Sequence, residues 1–343
     1  MIVKRERRAT DGPLSRPRKA WRAFWRSDER GAVAIILALL LIVLVGFAAL
    51  VVDLGQIIIV RSELQNASDA GALAGVVDLV YSGSSAAQTT AVSYSIQSSN
   101  FHLAQPTPAA DAVNVNVVGP ESLSVQVERT AGTASGPVST IFARIWGIQT
   151  AGVKAVAVAT LNRKVIGSGP GNLMPFGILE SLADADGDGD FDKGNVIDIY
   201  PHDYSPGNFG LLDLDGGSNS NADTVDWIEN GYSGNFVIPE GTGYIIIEGD
   251  PGISGGSLNG AIASRVGDRV LFPIFDQVTL QGANTEYRVI NLMGGIIQGF
   301  KLTGAASQRN IMVEIADFAA YNLIVGAEST PINNTVGTPV LIQ

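Results

Sequence analysis

The sequence predicts an α+β fold: a single N-terminal transmembrane helix continuing into a small α+β domain, followed by an all-β (sandwich or jelly-roll-like) C-terminal domain. Three observations predict it. No charged side chain occurs from Ala32 to Val52, a length that at about 1.5 Å per helical residue covers a hydrocarbon layer roughly 30 Å thick. Beyond that run, apolar or small residues keep recurring at steps of three and four without an intervening proline. After residue 162 this helical period gives way to short β-branched runs set between Gly, Asp, Asn and Pro clusters, the pattern of strands joined by turns.

The 46% hydrophobic content of the 343 residues is therefore partly gathered in one place. A cleaved secretory signal is the competing reading, because a basic region precedes the run and Gly46-Phe47-Ala48 is a small-x-small triplet. The run is longer than the roughly 7–15 residue core of such signals, so a retained anchor at 31–52 is expected.

The net charge of −11 conceals two unlike parts. Residues 1–30 carry ten Lys or Arg against four acids, and the remainder twelve against twenty-nine. Basic flanks resist translocation, so the tail 1–30 is expected in the cytoplasm, the helix in the cytoplasmic (inner) membrane and the acidic bulk outside it. Trp21, Phe24 and Trp25 supply an aromatic collar for the headgroup layer. Cysteine is absent, which excludes disulfides and thiolate metal sites. An acidic exterior argues against nucleic acid as a partner.

Past the span, Ile57, Val60, Leu64, Ala67, Gly71 and Ala74 form a seam whose side chains shrink outward. This narrow stripe suits close packing against the chain's own domain or a partner helix. A second helix is expected at 86–99. Alternating runs at 113–117 and 123–127 across "GPES" read as a hairpin, "VSTIFARIWGI" as a short helix, and "GVKAVAVATL" as a strand. These elements close a domain spanning 53–162. "VIGSGPGN" has linker composition, with the linker placed at 163–175. Strands are expected at 196–200, 244–248, 270–275, 287–292, 296–302 and 311–315 of a β-rich domain, 176–343.

The strongest chemical signal is "DADGDGDFDKGN". Asp184, Asp186 and Asp188 followed by Gly189 match the first half of an EF-hand-type loop, in which alternate carboxylates converge on Ca²⁺. Asp190 and Asp192 continue the pattern. Asn195 stands where the bidentate Glu belongs, so a weak structural calcium site is expected, with Asp198 a possible replacement ligand. A solvated Asp/Gly turn explains the same composition without metal. The second patch, Asp213, Asp215 and Asp223, reads as a turn.

Enzymatic constellations are thin, and a non-enzymatic protein is expected. His102 and His202 are the sole histidines, and neither a His-Glu-x-x-His motif nor a Gly-rich phosphate loop ending in Lys-Ser or Lys-Thr is present. His202 beside Asp203, and the carboxylates Asp198, Asp203 and Asp226, are the only candidates for a hydrolase.

Residues 30–76 resemble the N-terminal signature of the TadE/TadG-like family of the tight-adherence (Flp) pilus machinery. The resemblance rests on Arg30-Gly31, Asp53, Leu64-Gln65, Ala67, Asp69-Ala70 and Ala72-Leu73-Ala74-Gly75. It is looser through "IFARIWGI" and "VKAVAVA", and weaker again around "MPFGI" and "RVGDRVLFPIF". It implies a bitopic, pilin-like envelope protein that acts with pilus assembly components or pilin-like proteins, self-association included. Two departures qualify it. Counting from Ala32, the fifth residue is Ile36 where processed pilins carry Glu, and no Asp-x-Ser-x-Ser adhesion loop is present. The competing function is a membrane-anchored surface adhesin or carbohydrate-binding protein.

Overall fold

A computed structural model of the protein describes residues 29–200, 210–217, 220–250, 255–279, 285–304 and 308–342. The basic tail with its aromatic collar, and the pair His202 and Asp203, lie outside the described residues.

Helix α1 (Glu29–Ser82) is a single element of 54 residues, about 80 Å long at the usual rise. Its run of Ala, Leu, Ile and Val contains no proline, and it ends at Gly83, whose φ of 82° a side chain would resist. From Val33 it is long and apolar enough to cross a membrane. The chain divides into two compact units within this helix.

The first unit joins the helix up to Ile58 with the segment Ser139–Ala151. That segment was expected to be a short helix. It instead forms short strands β3 (Val138–Ser139) and β4 (Thr150–Ala151) around one 3-10 turn, Ala143–Trp146. β-branched Ile141, Ile145 and Ile148 spaced through the stretch disfavour a longer helix.

The second unit comprises Ile59–Val138 and Gly152–Gln343. Helix α2 (Ser84–Ser95) lies beside the outer part of α1. A five-stranded sheet orders β1 (Val113–Gly119), β2 (Ser122–Arg129), β5 (Val153–Asn162), β16 (Val336–Ile342) and β14 (Phe318–Ala319). The expected hairpin is present, with Val113 opposite Val127 and Val117 opposite Leu123. The last long strand joins this sheet antiparallel to β5, Thr338 opposite Asn162, so the pilin-like part and the C-terminal part share one sheet.

Residues 163–175, read from composition as a linker, are built into the fold. They hold β6 (Val165–Ser168), and Val165, Ser168, Leu173 and Met174 are buried. β6 is the middle of a three-stranded sheet between β15 (Leu323–Val325) and β9 (Phe236–Val237).

A six-stranded sheet forms the centre of the C-terminal part. Its order is β7 (Ile178–Leu179), β11 (Arg269–Thr279), β12 (Glu286–Lys301), β13 (Asn310–Ile315) and β8 (Val196–Asp198), with β10 (Ile245–Glu248) also on β12. Two expected strands, 287–292 and 296–302, are one 16-residue strand, β12. Gly294-Gly295 does not break it: a Cβ at Gly294 would stand 2.4 Å from the Ala316 carbonyl, and one at Gly295 would stand 2.6 Å from Val313. These glycines therefore admit close neighbours rather than mark a turn.

Alternation sorts the strands between two cores. Val270, Phe272 and Ile274 face Ile228, Leu258 and Ile262, whereas Leu271 faces Val165, Phe236, Val289 and Leu323. The first of these sets brings in helices α4 (Asn221–Asn230) and α5 (Gly255–Ser264), numbered after the single turn α3 (Glu180–Ala183). The α+β class stands, and the C-terminal part is β-rich rather than all-β, because one sheet face is covered by helices.

Candidate functional site

The C-terminal part of α1, from Ile59, is the spine of the second unit. Val60, Leu64, Ala67 and Gly71 of the expected seam are buried, and Ala74 and Ile57 are half-buried. The buried stripe continues through Ala72, Gly75, Val76 and Leu79. A Cβ at Gly75 would come within 2.3 Å of Leu123 and 2.9 Å of Ala91, and one at Gly71 within 2.8 Å of the Ala91 carbonyl. The small residues thus let α2 and β2 approach the helix backbone, and this chain's own domain covers the seam.

Two acids on α1 hold loops by the same device. In the first unit the Asp53 carboxylate accepts from the N–H groups of Ile141 (2.8 Å), Phe142 (3.0 Å) and Ala143 (2.6 Å). In the second, Glu63 accepts from the N–H groups of His102 (3.1 Å), Leu103 (2.8 Å) and Ala104 (2.6 Å). Both carboxylates are buried. Three successive N–H groups converging on one anion act as a helix N-terminus does, with the cap supplied from a distant element. Burial pushes the Glu63 carboxyl up, but these donors and the nearby His102 outweigh it and hold the group below its ordinary value. Asp53 was noted in the sequence only as part of a signature and Glu63 was missed. The available signal for Glu63 was a lone acid flanked by the buried positions Val60, Leu64 and Ala67.

An ion network centred on buried Arg163 ties together segments of the second unit that are distant in sequence. Arg163 donates to Glu121 at 2.8 Å and to Asp317 at 2.8 Å, and Lys193 reaches Asp317 at 3.0 Å. Arg269 donates to the Asp317 carbonyl and places its guanidinium 4.3 Å from the centre of the Tyr81 ring.

The acidic loop follows α3. Carboxylate oxygens of Asp184, Asp186 and Asp188 lie within 4.8 Å of one another. Asp184 accepts from the N–H groups of Gly187 (2.7 Å), Asp188 (3.2 Å) and Gly189 (2.9 Å), and Gly187 and Gly189 have φ of 74° and 94°. Asp192 accepts from the Ala185 N–H at 3.0 Å, closing the loop on itself. The Asp190 N–H donates to Asp188, and the Asn195 N–H to the Asp192 carbonyl. Buried Phe191 pins the loop's exit by exchanging two hydrogen bonds with Asn334. The Asp188 N–H draws the Asp186 carboxyl down, but the charges of Asp188 and Asp192 outweigh it, leaving it above its ordinary value.

The other sequence candidates have structural roles. Asp198 accepts from the N–H groups of Tyr200 and Ile311, which uses it inside the sheet rather than in the acidic loop. Asp213 and Asp215 each cap a turn at Gly216 and Gly217. Asp223 completes a capping box with Ser220 at the start of α4. Asp226 accepts from the Asn230 side chain one helical turn on.

Fold and site define a class: a protein whose apolar membrane-anchor helix continues as the spine of a folded α+β body. The Tad family model, Flp pilus-assembly TadE/G-like, matches residues 31–78, which takes in the apolar span, both clamping acids and the small-residue seam. No curated protein and no solved structure matches the chain.

Proposed function

We propose that the chain is a non-enzymatic component of a tight-adherence (Flp) pilus or a related secretion apparatus, anchored in the cytoplasmic membrane with its N-terminus inside and its bulk outside. The observation that carries this reading is the coincidence of the TadE/G-like match at 31–78 with the apolar span and its packed continuation. A self-covered seam leaves the outer surface of the body, rather than the spine, to meet pilus components or a second copy. Affinity capture of the full chain from gently solubilised membranes tests the reading. Recovery of the pilus ATPase, platform or pilin subunits supports it, and their absence alongside a normally assembled pilus in a deletion strain would refute it.

Calcium is the second part of the proposal. The loop Asp184 to Asn195 is read as a weak structural Ca²⁺ site, supported by three convergent carboxylates and the loop-closing bonds of Asp184. Bound cation would relieve the repulsion among these acids and stiffen the outer β-rich part.

A further inference from the structure

The segment Ser139–Ala151 presents apolar side chains to the outside. Ile141, Ile145, Trp146 and Ile148 are 57%, 77%, 65% and 56% exposed. The stretch contains no acid, and its one charge is Arg144.

Seven of its backbone N–H groups are nonetheless paired. The N–H groups of Ile141, Phe142 and Ala143 are taken by Asp53. Those of Thr140, Ile145, Gly147 and Ile148 donate to the carbonyls of Gln149, Phe142, Arg144 and Ala143. Water would happily solvate free N–H groups and would disfavour four bare apolar side chains; an apolar medium makes the opposite demands, satisfied backbone and greasy exterior.

The segment also lies level with the apolar run of α1. Trp146 lines an apolar cleft with Val43, Gly46, Phe47 and Leu50 of α1. Gly46 is six residues inside the uncharged run that ends at Val52, about 9 Å at the helical rise. An exposed Trp and Arg beside exposed Ile are the residues that settle between acyl chains and headgroup phosphates.

We infer that the Ser139–Ala151 segment is a second membrane contact, an interfacial loop that Asp53 holds against α1 so that Ile145 and Trp146 enter the acyl region of the outer leaflet. The occupant of this surface is lipid, and its continuity with the lipid-facing side of α1 is the reason. The inference rests on α1 spanning the bilayer, and the test separates the two.

Because the chain has no cysteine, a single NBD label can be placed at Ile145→Cys, Val43→Cys or Ile332→Cys in the full chain, reconstituted in vesicles of phosphatidylcholine and phosphatidylglycerol. Ile332 is 71% exposed and reports the aqueous side. Brominated acyl chains are expected to quench the labels at 43 and 145 and to spare the one at 332. Quenching at 43 without quenching at 145 overturns the loop inference and leaves the span intact, whether the 145 label emits as in water or as if covered by protein. No quenching at either position overturns the span itself. Trp146→Cys provides a second label on the same loop, with the same expectation.

Discussion

Tyr81 and Ala319 exchange two hydrogen bonds across 238 residues of sequence: the Tyr81 hydroxyl donates to the Ala319 carbonyl at 3.1 Å and accepts from its N–H at 2.6 Å. The last turn of the spine is thereby tied to β14, at the edge of the shared sheet, while Arg269 covers the same ring. Removing the hydroxyl leaves two backbone groups without their partner. Tyr81→Phe is expected to lower stability by roughly 1–3 kcal/mol, read as a shift in the denaturant midpoint of the full chain in detergent. An unchanged midpoint would show that the pair is incidental.

The tight approach at the seam makes a second expectation. Gly75→Ala places a methyl group 2.3 Å from Leu123 and 2.9 Å from Ala91, and neither helix can retreat without opening the core. Overpacking of this kind costs about 1–3 kcal/mol, despite alanine's better helix propensity. Ala74→Leu, at a half-buried position, is expected to cost less. Thermal melts of the two variants compare them directly.

Glu63 gives the protein an acid limb. Its folded-state pKa lies below its ordinary value of 4.5, so its contribution is complete above that value and disappears as pH falls through the folded value. Glu63→Gln is expected to be less stable than the parent at neutral pH and to converge with it in acid. A gap between the two that stayed constant down to acidic pH would show that ionisation of this carboxylate is not what matters.

The acidic loop predicts a calcium response. Saturating calcium at a hundred times its Kd would add about 2.7 kcal/mol, seen as a higher melting temperature than in excess chelator. Asp186 starts from an elevated pKa, so protons compete with the cation and the calcium shift should shrink as pH is lowered. Asp186 contributes one long 3.3 Å bond to the loop, so Asp186→Asn removes a ligand with little damage to the turn and is expected to abolish the shift. The measurement uses the full chain, because strand 336–342 pairs with 153–162. Identical melts with calcium and chelator would dispose of the site.

The Arg163 network predicts asymmetry. Arg163 is buried between Glu121 and Asp317, and truncating one member of a buried ion pair strands the others. Asp317→Ala, which also releases Lys193, is expected to destabilise by about 3–5 kcal/mol. Glu121→Ala, at a more exposed site, should cost less. Chemical denaturation orders the two.

Local pattern carried far in this chain. The uncharged run, the hairpin 113–127 and strand 153–162 were legible because each follows one period over its whole length. The seam was legible to within one position: burial drifts from Ala74 to Gly75, since a straight helix at 3.6 residues per turn does not keep steps of three and four in phase indefinitely. Glycine misled twice. Near 163–175 it suggested a linker where Val165 and Leu173 enter the core, and at 294–295 it suggested a break where neighbouring strands need room. Partners distant in sequence were not legible at all. Nothing in the surroundings of Asp53 specifies that Ile141, Phe142 and Ala143 will cap it, and nothing near β5 specifies that residues 336–342 will lie alongside.

That last pairing has a consequence for biogenesis. Until the seven residues of β16 emerge, β5 presents an open hydrogen-bonding edge carrying Val153, Ala155, Ala157 and Leu161 on one face. Such an edge invites any extended chain nearby. From the completion of β5 until residues 336–342 are made, the nascent chain thus carries an exposed sheet edge that is closed only by its own last strand.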